Sequence, residues 1–437
     1  MKVLVPLPID LSSMANGRTL RVVNLLRELK HLSTLCCLVP NDGRFDAAMA
    51  VMPDVPLEPV GPRREGRVNA EGAWPTDFLP YRGWARRALG YLGIDEPLVR
   101  EMARRGGAFD TVLGFDVDSL AYLLAARHAR TGDAPRIVCD VIDDPWFACR
   151  SMPFSRRFSP GGLKQAAVVR LLRCRLLNLC DALVVVSPQD ADSLSAAAGK
   201  RVSVVPNGVW LPERNVTDAP REPLVVFTGA MQFPPNATAA LYLIRRIWPK
   251  VLERLANSAY DTSERASAVQ LAIIGSSPSP SLCRLAERYD VLVTGWVEGV
   301  YGWLRRARVA VAPMVSGSGI KNKVLEASAN ACPVVATSLG LKGLPVGESN
   351  GLVAVDDPAS FADWIVELVT QPQRARVIGM AGRAMVSRQY AWPRMAGHLL
   401  QILQASEPDH SESTSAETGG APAKRVPDKG TLTHASS

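Results

Sequence analysis

The 437-residue sequence predicts an α/β protein made of two Rossmann-like, doubly wound parallel-sheet domains. Short β-branched runs alternate with helical stretches along the whole chain, which is the pattern of successive βαβ units. In the second half the strands are continuous apolar runs, such as PLVVFTG (223–229) and RVAVAPM (308–314). Runs of that kind suit strands buried on both faces of a parallel sheet. The length allows about two or three domains.

The elements follow in order. MKVLVPLPIDLSS lacks the length and small-residue cleavage site of a signal peptide, so it reads as a first strand at 2–6 and the cytoplasm is the expected address. Further strands are expected near 32–39, 109–115, 136–141, 181–187 and 201–205, with helices at 17–30, 117–130 and 163–179. Residues 40–108, rich in Pro, Gly and Arg, give no clear assignment. The second half predicts strands at 223–229, 269–275, 291–295, 308–314 and 333–337. Between them lie helices from Asn236 to about Leu255, with Asn236 as N-cap, and at 280–288, 299–306 and 319–331. The domains are read as 1–210 and 211–392, hinged near 207–222, with a helix at 393–405 crossing back to the first domain. The polar segment 406–437 reads as disordered.

Composition removes several function classes. Hydrophobic residues are 47% and charged ones 21%, with a net charge of +8. That balance suits nucleotide phosphates, anionic headgroups or nucleic acid without choosing among them. No apolar run reaches the roughly 18 residues of a membrane span. Eight cysteines without a CxxC pair argue against zinc and against a disulfide framework. Only His31, His128 and His398 precede the tail, which removes HExxH zinc chemistry. The loop PLPIDLSSMANG after the first strand holds no GxGxxG, which counts against a dehydrogenase.

The most informative segment is APMVSGSGIKNKVLEASANACPVVAT (312–337). A buried strand ends at Met314, a Ser/Gly loop follows, and a helix begins near Gly319. Ligands of doubly wound sheets bind at such carboxyl ends. Gly317 and Gly319 let the backbone approach a ligand closely. Lys321 and Lys323 fall in the first helical turn, where the helix dipole disfavours cations. An anion seated there, such as a diphosphate, would account for both. Glu326, one turn on, could accept hydrogen bonds from a ribose diol. The plainer alternative is a pair with Asn322 or Lys323, worth tenths of a kcal/mol. A second loop, FTGAMQFPPNATAA (227–240), ends its strand at Gly229 and would bring that residue and the next amides to the same diphosphate. Its plainer reading is a loop and a helix cap.

These segments, with VLVTGWVEGVYGWLRRARVAVAP, VVVSPQDADSL and VSVVPNGVW (202–210), resemble the nucleotide-binding domain of GT-B glycosyltransferases of family 4, the retaining group 1 transferases. Within that family they are similar to sugar transferases associated with exopolysaccharide and PEP-CTERM systems. The resemblance covers roughly 180–392, and residues 1–150 join it chiefly through NGRTLRVVNLLREL (16–29). It implies two domains facing a cleft and transfer, with retention, of a hexose-type sugar from a UDP- or GDP-sugar to a glycan or lipid-linked acceptor, in polysaccharide or glycoconjugate biosynthesis. It implies no cofactor, no bound metal and no nucleic-acid partner. It makes Glu326 the donor-ribose carboxylate and brings Ser318, Gly319, Ile320, Lys321, Gly229, Asn207 and Gly208 to the donor. Gly17 would sit in the first βα loop facing the donor phosphates or the acceptor, and Arg18 and Asp140 are read with it as acceptor or cleft residues. The sequence departs from the family pattern twice. Ser318 stands where the family often has the first of two glutamates, and no cation follows Gly229, so Lys321 and Lys323 are the candidates to supply that charge. Lys323 in particular would stabilise the leaving diphosphate.

Two acidic segments remain. In CDVIDDPWF (139–147), Asp143 or Asp144 could orient an acceptor hydroxyl or take its proton. The alternative is a turn, since Asp-Asp-Pro favours one. FDVDS (115–119) holds an Asp116-x-Asp118 pattern of the metal-binding type, and helix capping is its plainer reading. YRGWARRALGYLG (81–93) could make a peripheral contact with the inner face of a membrane, or cover a core-facing helix with arginine stems. Competing functions are a nucleotide-sugar epimerase of the same fold and a noncatalytic nucleotide-sugar-binding protein.

Overall fold

The computed structural model describes residues 1–11, 17–63, 94–128, 134–142, 144–150, 158–212, 221–257, 269–317 and 319–405. The first sheet has seven strands: β1 (Lys2–Pro6), β2 (Thr34–Pro40), β3 (Leu57–Val60), β4 (Thr111–Phe115), β5 (Arg136–Ile142), β6 (Ala182–Val185) and β7 (Ser203–Val204). Their order is β3-β2-β1-β4-β5-β6-β7, and every pairing is parallel. Alternation sorts the side chains, so Val3 and Val5 join the core on one face and Leu4 the core on the other.

The second sheet has six strands: β8 (Glu222–Thr228), β9 (Gln270–Ile274), β10 (Leu292–Gly295), β11 (Ala307–Ala312), β12 (Val334–Ala336) and β13 (Leu352–Ala354). Their order is β10-β9-β8-β11-β12-β13, again parallel throughout. In each sheet the chain winds outward in both directions from a central pair, β1/β4 and β8/β11. The carboxyl ends of those pairs are where a doubly wound sheet opens a crevice.

Several helices start on a Ser-Pro or Asp-Pro pair. Ser159, Ser187, Ser279 and Asp357 each accept a backbone N–H in the first turn, and Pro follows where no amide is needed. The stretch 40–108, left unassigned from sequence, contains the helix Gly43–Val51, β3 and the helix Glu96–Arg105. Asp42 and Asp95 cap the two helices. The helix expected from Asn236 begins earlier, at Pro234, and is interrupted by a π-helical turn at Leu243–Ile247 before continuing as Trp248–Asn257. The helix expected at 319–331 is shorter, Asn322–Ala329.

The last described helix, Trp392–Gln404, buries Trp392, Met395, Ala396, Leu399 and Leu403 against Val3, Val5, Val22 and Leu25 of the first lobe. The Leu403 carbonyl accepts from Thr111 Oγ1 at 3.2 Å, and Val209 N donates to Tyr390 O at 2.7 Å. The chain therefore runs between the lobes twice, through 205–212 and through 390–392. The segments 406–437 and 81–93 lie outside the described residues.

Gly208 sits where these crossings meet. A Cβ there would come within 2.5 Å of the Trp392 ring, so the residue must be glycine for packing. Gly208→Ala should lower stability by about 1–3 kcal/mol, the usual cost of overpacking a filled core. Urea unfolding measures it; an unchanged midpoint would show that Trp392 can step aside.

Candidate functional site

Three segments converge at the carboxyl end of the β8/β11 pair: the loop after β8, the loop after β11, and the first turn of Asn322–Ala329. Gly229 ends β8. A Cβ on it would lie 2.7 Å from Asn236 Nδ2 and 2.9 Å from Lys323 Nζ, so this position needs glycine for Lys323 to reach the strand end. The amides of Gly229 and Met231 donate to Ile274 O and Ser276 O, at 2.9 and 2.8 Å. This corrects the expectation that those two amides face a diphosphate: Gly229 contributes space. Asn236 is also reassigned. Phe233 holds the N-cap position, while Asn236 donates to Ala230 O at 3.0 Å and accepts from Lys323 Nζ at 2.8 Å.

Lys323 points inward. Its Nζ lies 4.1 Å from the centre of the Phe227 ring, a cation–π arrangement. Burial depresses the ammonium to about 7, while Glu326 pulls it up and Lys321 pushes it further down. The Glu326 carboxylate has no hydrogen-bond or ion-pair partner among the described residues, while the backbone carbonyl of the same residue accepts from Asn330 Nδ2 at 2.8 Å. Burial raises its carboxyl above the usual range and Lys323 opposes the rise. Tyr301, itself pushed up by burial, lies close enough to feel the Glu326 charge.

Gly317 and Gly319 adopt φ of 106° and 68°, in the left-handed region that side-chain-bearing residues rarely enter. Lys321 occupies the N-cap position and offers no side-chain cap, its Nζ donating instead to Gly319 O at 2.7 Å. Val324 N donates back to Lys321 O at 2.9 Å, and no side chain caps the amides of Asn322 and Lys323. Ile320 is buried in the core, so only its backbone can meet a donor. Ser318 and Asp143 lie outside the described residues.

On the first lobe, Gly17 begins the helix α1 (Gly17–Leu29) and faces Asn322 across the cleft; a Cβ on Gly17 would be 3.5 Å from Asn322 Nδ2. Asn207 reaches the same helix start, donating to Asn322 Oδ1 at 3.0 Å. Arg18 pairs with Asp116 at 2.6 Å and with Asp118 at 3.0 Å, and Asp116 also accepts from Val117 N at 2.7 Å. The Asp-x-Asp pattern therefore holds an arginine and caps a turn.

Three expectations are corrected by packing. Asp140 does not line the cleft: it is fully buried and paired with Arg21 at 2.8 Å. Asp144 is also buried, accepting from Arg173 and Ser193 Oγ, both at 2.7 Å, and from Trp146 N at 3.0 Å. Both its oxygens are occupied, so it is a structural anion. Gly208 serves Trp392, as described above.

Sequence reasoning gave no role to Arg21, Tyr301 and Asp190, and read Asn322 only as an alternative partner for Glu326. Asp190 is buried near Lys321, its carboxyl raised by burial and pulled back by hydrogen bonds and by that lysine. Asn322 carried a visible signal, standing between the two lysines of one motif. Arg21 sits on the buried side of its helix beside Val22, Leu25 and Leu26, which flags a buried partner without naming it.

Among the described residues no three His, Cys, Asp or Glu side chains form a metal-holding group, and no helix is long and apolar enough to cross a membrane. Two parallel doubly wound sheets, with loops meeting at their switch points, place the chain in the GT-B fold class. Residues 222–371 match the family model described as glycosyl transferases group 1. The chain is 29% identical over 256 residues to alpha-maltose-1-phosphate synthase of Mycolicibacterium smegmatis, covering 52% of this chain and 64% of that protein. It is 25% identical over 255 residues to phosphatidyl-myo-inositol mannosyltransferase of Propionibacterium freudenreichii subsp. shermanii, covering 55% and 60%. The chain thus spans somewhat less than two thirds of the length of these curated relatives. In fold it is similar to Anabaena HepE in complex with UDP, with a TM-score of 0.61, 14% identity, and 92% and 99% of the two chains covered. It is likewise similar to sucrose-phosphate synthase of Thermosynechococcus elongatus, with a TM-score of 0.59, 16% identity, and 92% and 98% covered. Residues 222–371 thus carry the glycosyl transferases group 1 match, on the lobe built from the second sheet.

The depressed Lys323 ammonium predicts a pH signature. An anion binds the protonated form, and the empty site loses that proton as pH rises through about 7. Above that point affinity for a nucleotide sugar should fall by up to about tenfold per pH unit, with a proton taken up on binding. Calorimetry from pH 7 to 8.5 measures this, and Lys323→Met should bind weakly with a flat profile. The same slope in the variant would remove Lys323 as its source.

Proposed function

We propose that the chain transfers a hexose-type sugar from a UDP- or GDP-sugar to a glycan or lipid-linked acceptor, with retention of configuration, in polysaccharide or glycoconjugate synthesis. The observation that carries this reading is the pairing of Lys323 with an unpartnered Glu326 one turn later, at the mouth of β8 and β11. A nucleoside diphosphate offers the complement of both: phosphate oxygens for the ammonium and a ribose diol for the carboxylate. In transfer, the bond between the anomeric carbon and the diphosphate oxygen breaks and the acceptor oxygen takes its place. Negative charge grows on the leaving diphosphate, where Lys323 and the uncapped amides of its helix would stabilise it. On this reading the site's own cation neutralises the leaving group, and neither a metal nor another cofactor is required.

The acceptor reading draws on relatives. The Propionibacterium protein is named a phosphatidyl-myo-inositol mannosyltransferase, which supports a lipid-linked acceptor and a peripheral contact with a membrane. The HepE structures hold UDP, and one holds UDP-glucose, which supports a uridine donor.

Glu326→Ala should lose at least about tenfold in nucleotide-sugar affinity, the scale of a hydrogen bond to a charged group. Thermal-shift and calorimetric titration against a panel of UDP- and GDP-sugars reads this out. Unchanged affinity would remove the ribose role. Transfer that survives EDTA, with product of the donor's anomeric configuration by NMR, is the expected outcome of an acceptor assay.

A further inference from the structure

Three side chains join the core of the first lobe to the start of the donor helix, and one end dictates the direction of every bond. Arg21 lies on α1 and is fully buried. Its Nε donates to Asp140 Oδ2 at 2.8 Å, and its Nη1 donates to Pro206 O at 3.1 Å and to Asn207 Oδ1 at 3.2 Å. A guanidinium only donates, so Asn207 must turn its carbonyl oxygen toward it. The Asn207 amide nitrogen then faces away and donates to Asn322 Oδ1 at 3.0 Å. With its oxygen taken, Asn322 has only Nδ2 to present. That nitrogen points into the cleft opposite Gly17 and has no hydrogen-bond partner among the described residues.

The two ends of an asparagine amide are ordinarily hard to tell apart. Here a fixed donor settles both amides in turn. Asp140 neutralises Arg21, so what reaches the cleft is orientation rather than net charge. The result is an N–H donor beside Lys323, in the first turn of the same helix.

We propose that Arg21 and Asn207 are positioning residues that hold Asn322 Nδ2 as a hydrogen-bond donor to an anionic oxygen of the nucleotide-sugar donor; this rests on the donor reading above. Because the relay begins in the first lobe and ends in the second, the donor would be gripped fully only when the lobes stand at this separation.

The test is calorimetric titration of UDP and of GDP into the full chain and its variants. Asn322→Ala should weaken whichever nucleotide the wild type binds by about tenfold. Asn207→Asp keeps an acceptor for Arg21 but has no N–H, so Asn322 must rotate and turn its oxygen toward the phosphates. That variant should lose at least as much, with little change in melting temperature. In the Asn322→Ala background it should add nothing, which a merely structural residue would not show. Asn322 is only partly buried, so Asn322→Asp tests the ligand end even if Asn207→Asp folds poorly; it should bind more weakly than Asn322→Ala. Wild-type affinity in Asn322→Ala, equal binding by Asn322→Asp and Asn322→Ala, or independent losses in the double variant would each overturn the relay. A wild type that binds neither nucleotide overturns the donor reading and the relay's ligand together.

Discussion

Lys323 is a half-buried residue whose ammonium turns inward, with no carboxylate at ion-pair distance among the described residues. Removing a cation from water costs several kcal/mol unless polar groups replace the lost hydration. The fold supplies an asparagine oxygen, an aromatic face and a close backbone, through Asn236, Phe227 and Gly229. Each constrains its own element. Gly229 must lack a side chain, Asn236 is diverted from capping, and the helix after β11 begins only at Asn322, so that its second residue points inward. An anionic ligand would relieve the remaining deficit, which is why the arrangement reads as a binding site left incomplete by the protein alone.

The first lobe treats its charges in the opposite way. Arg18 with Asp116 and Asp118, Arg21 with Asp140, and Arg173 with Asp144 close acidic groups at or near strand ends with arginines. Breaking either of the two buried pairs, Arg21–Asp140 or Arg173–Asp144, leaves an uncompensated charge, so each is hard to lose even where its net contribution is small. The consequence for function is subtraction. Asp140 and Asp144 are consumed by structure, whereas among the described residues the Glu326 carboxylate stands unpartnered near the loops after β8 and β11.

The lobes are joined by a few specific contacts at the crossings. Gly208 lies under Trp392, Val209 bonds Tyr390, and Trp210 Nε1 donates to Asn24 Oδ1 at 2.8 Å. Arg21 and Asn24, one turn apart on α1, thus hold the same connecting strand that Asn207 extends to the donor helix. Helix α1 therefore runs from the cleft at Gly17 to the segment that joins the lobes.

The sequence by itself determined the parallel βαβ plan, most strand positions, the glycine loop and the lysines and glutamate that follow it. These are local properties, set by periodicity, turn chemistry and spacing within one helix turn. The tertiary structure alone decided which charged groups are free to act. Arg21 meets Asp140 and Asn207 across 119 and 186 residues, and Arg173 meets Asp144 across 29. Strand order brings those partners together, and local spacing does not encode it. Hence Asp144 looked available, Asn236 looked like a cap, and Asn322 looked like a helix-surface partner for Glu326 until the neighbouring lobe supplied Asn207.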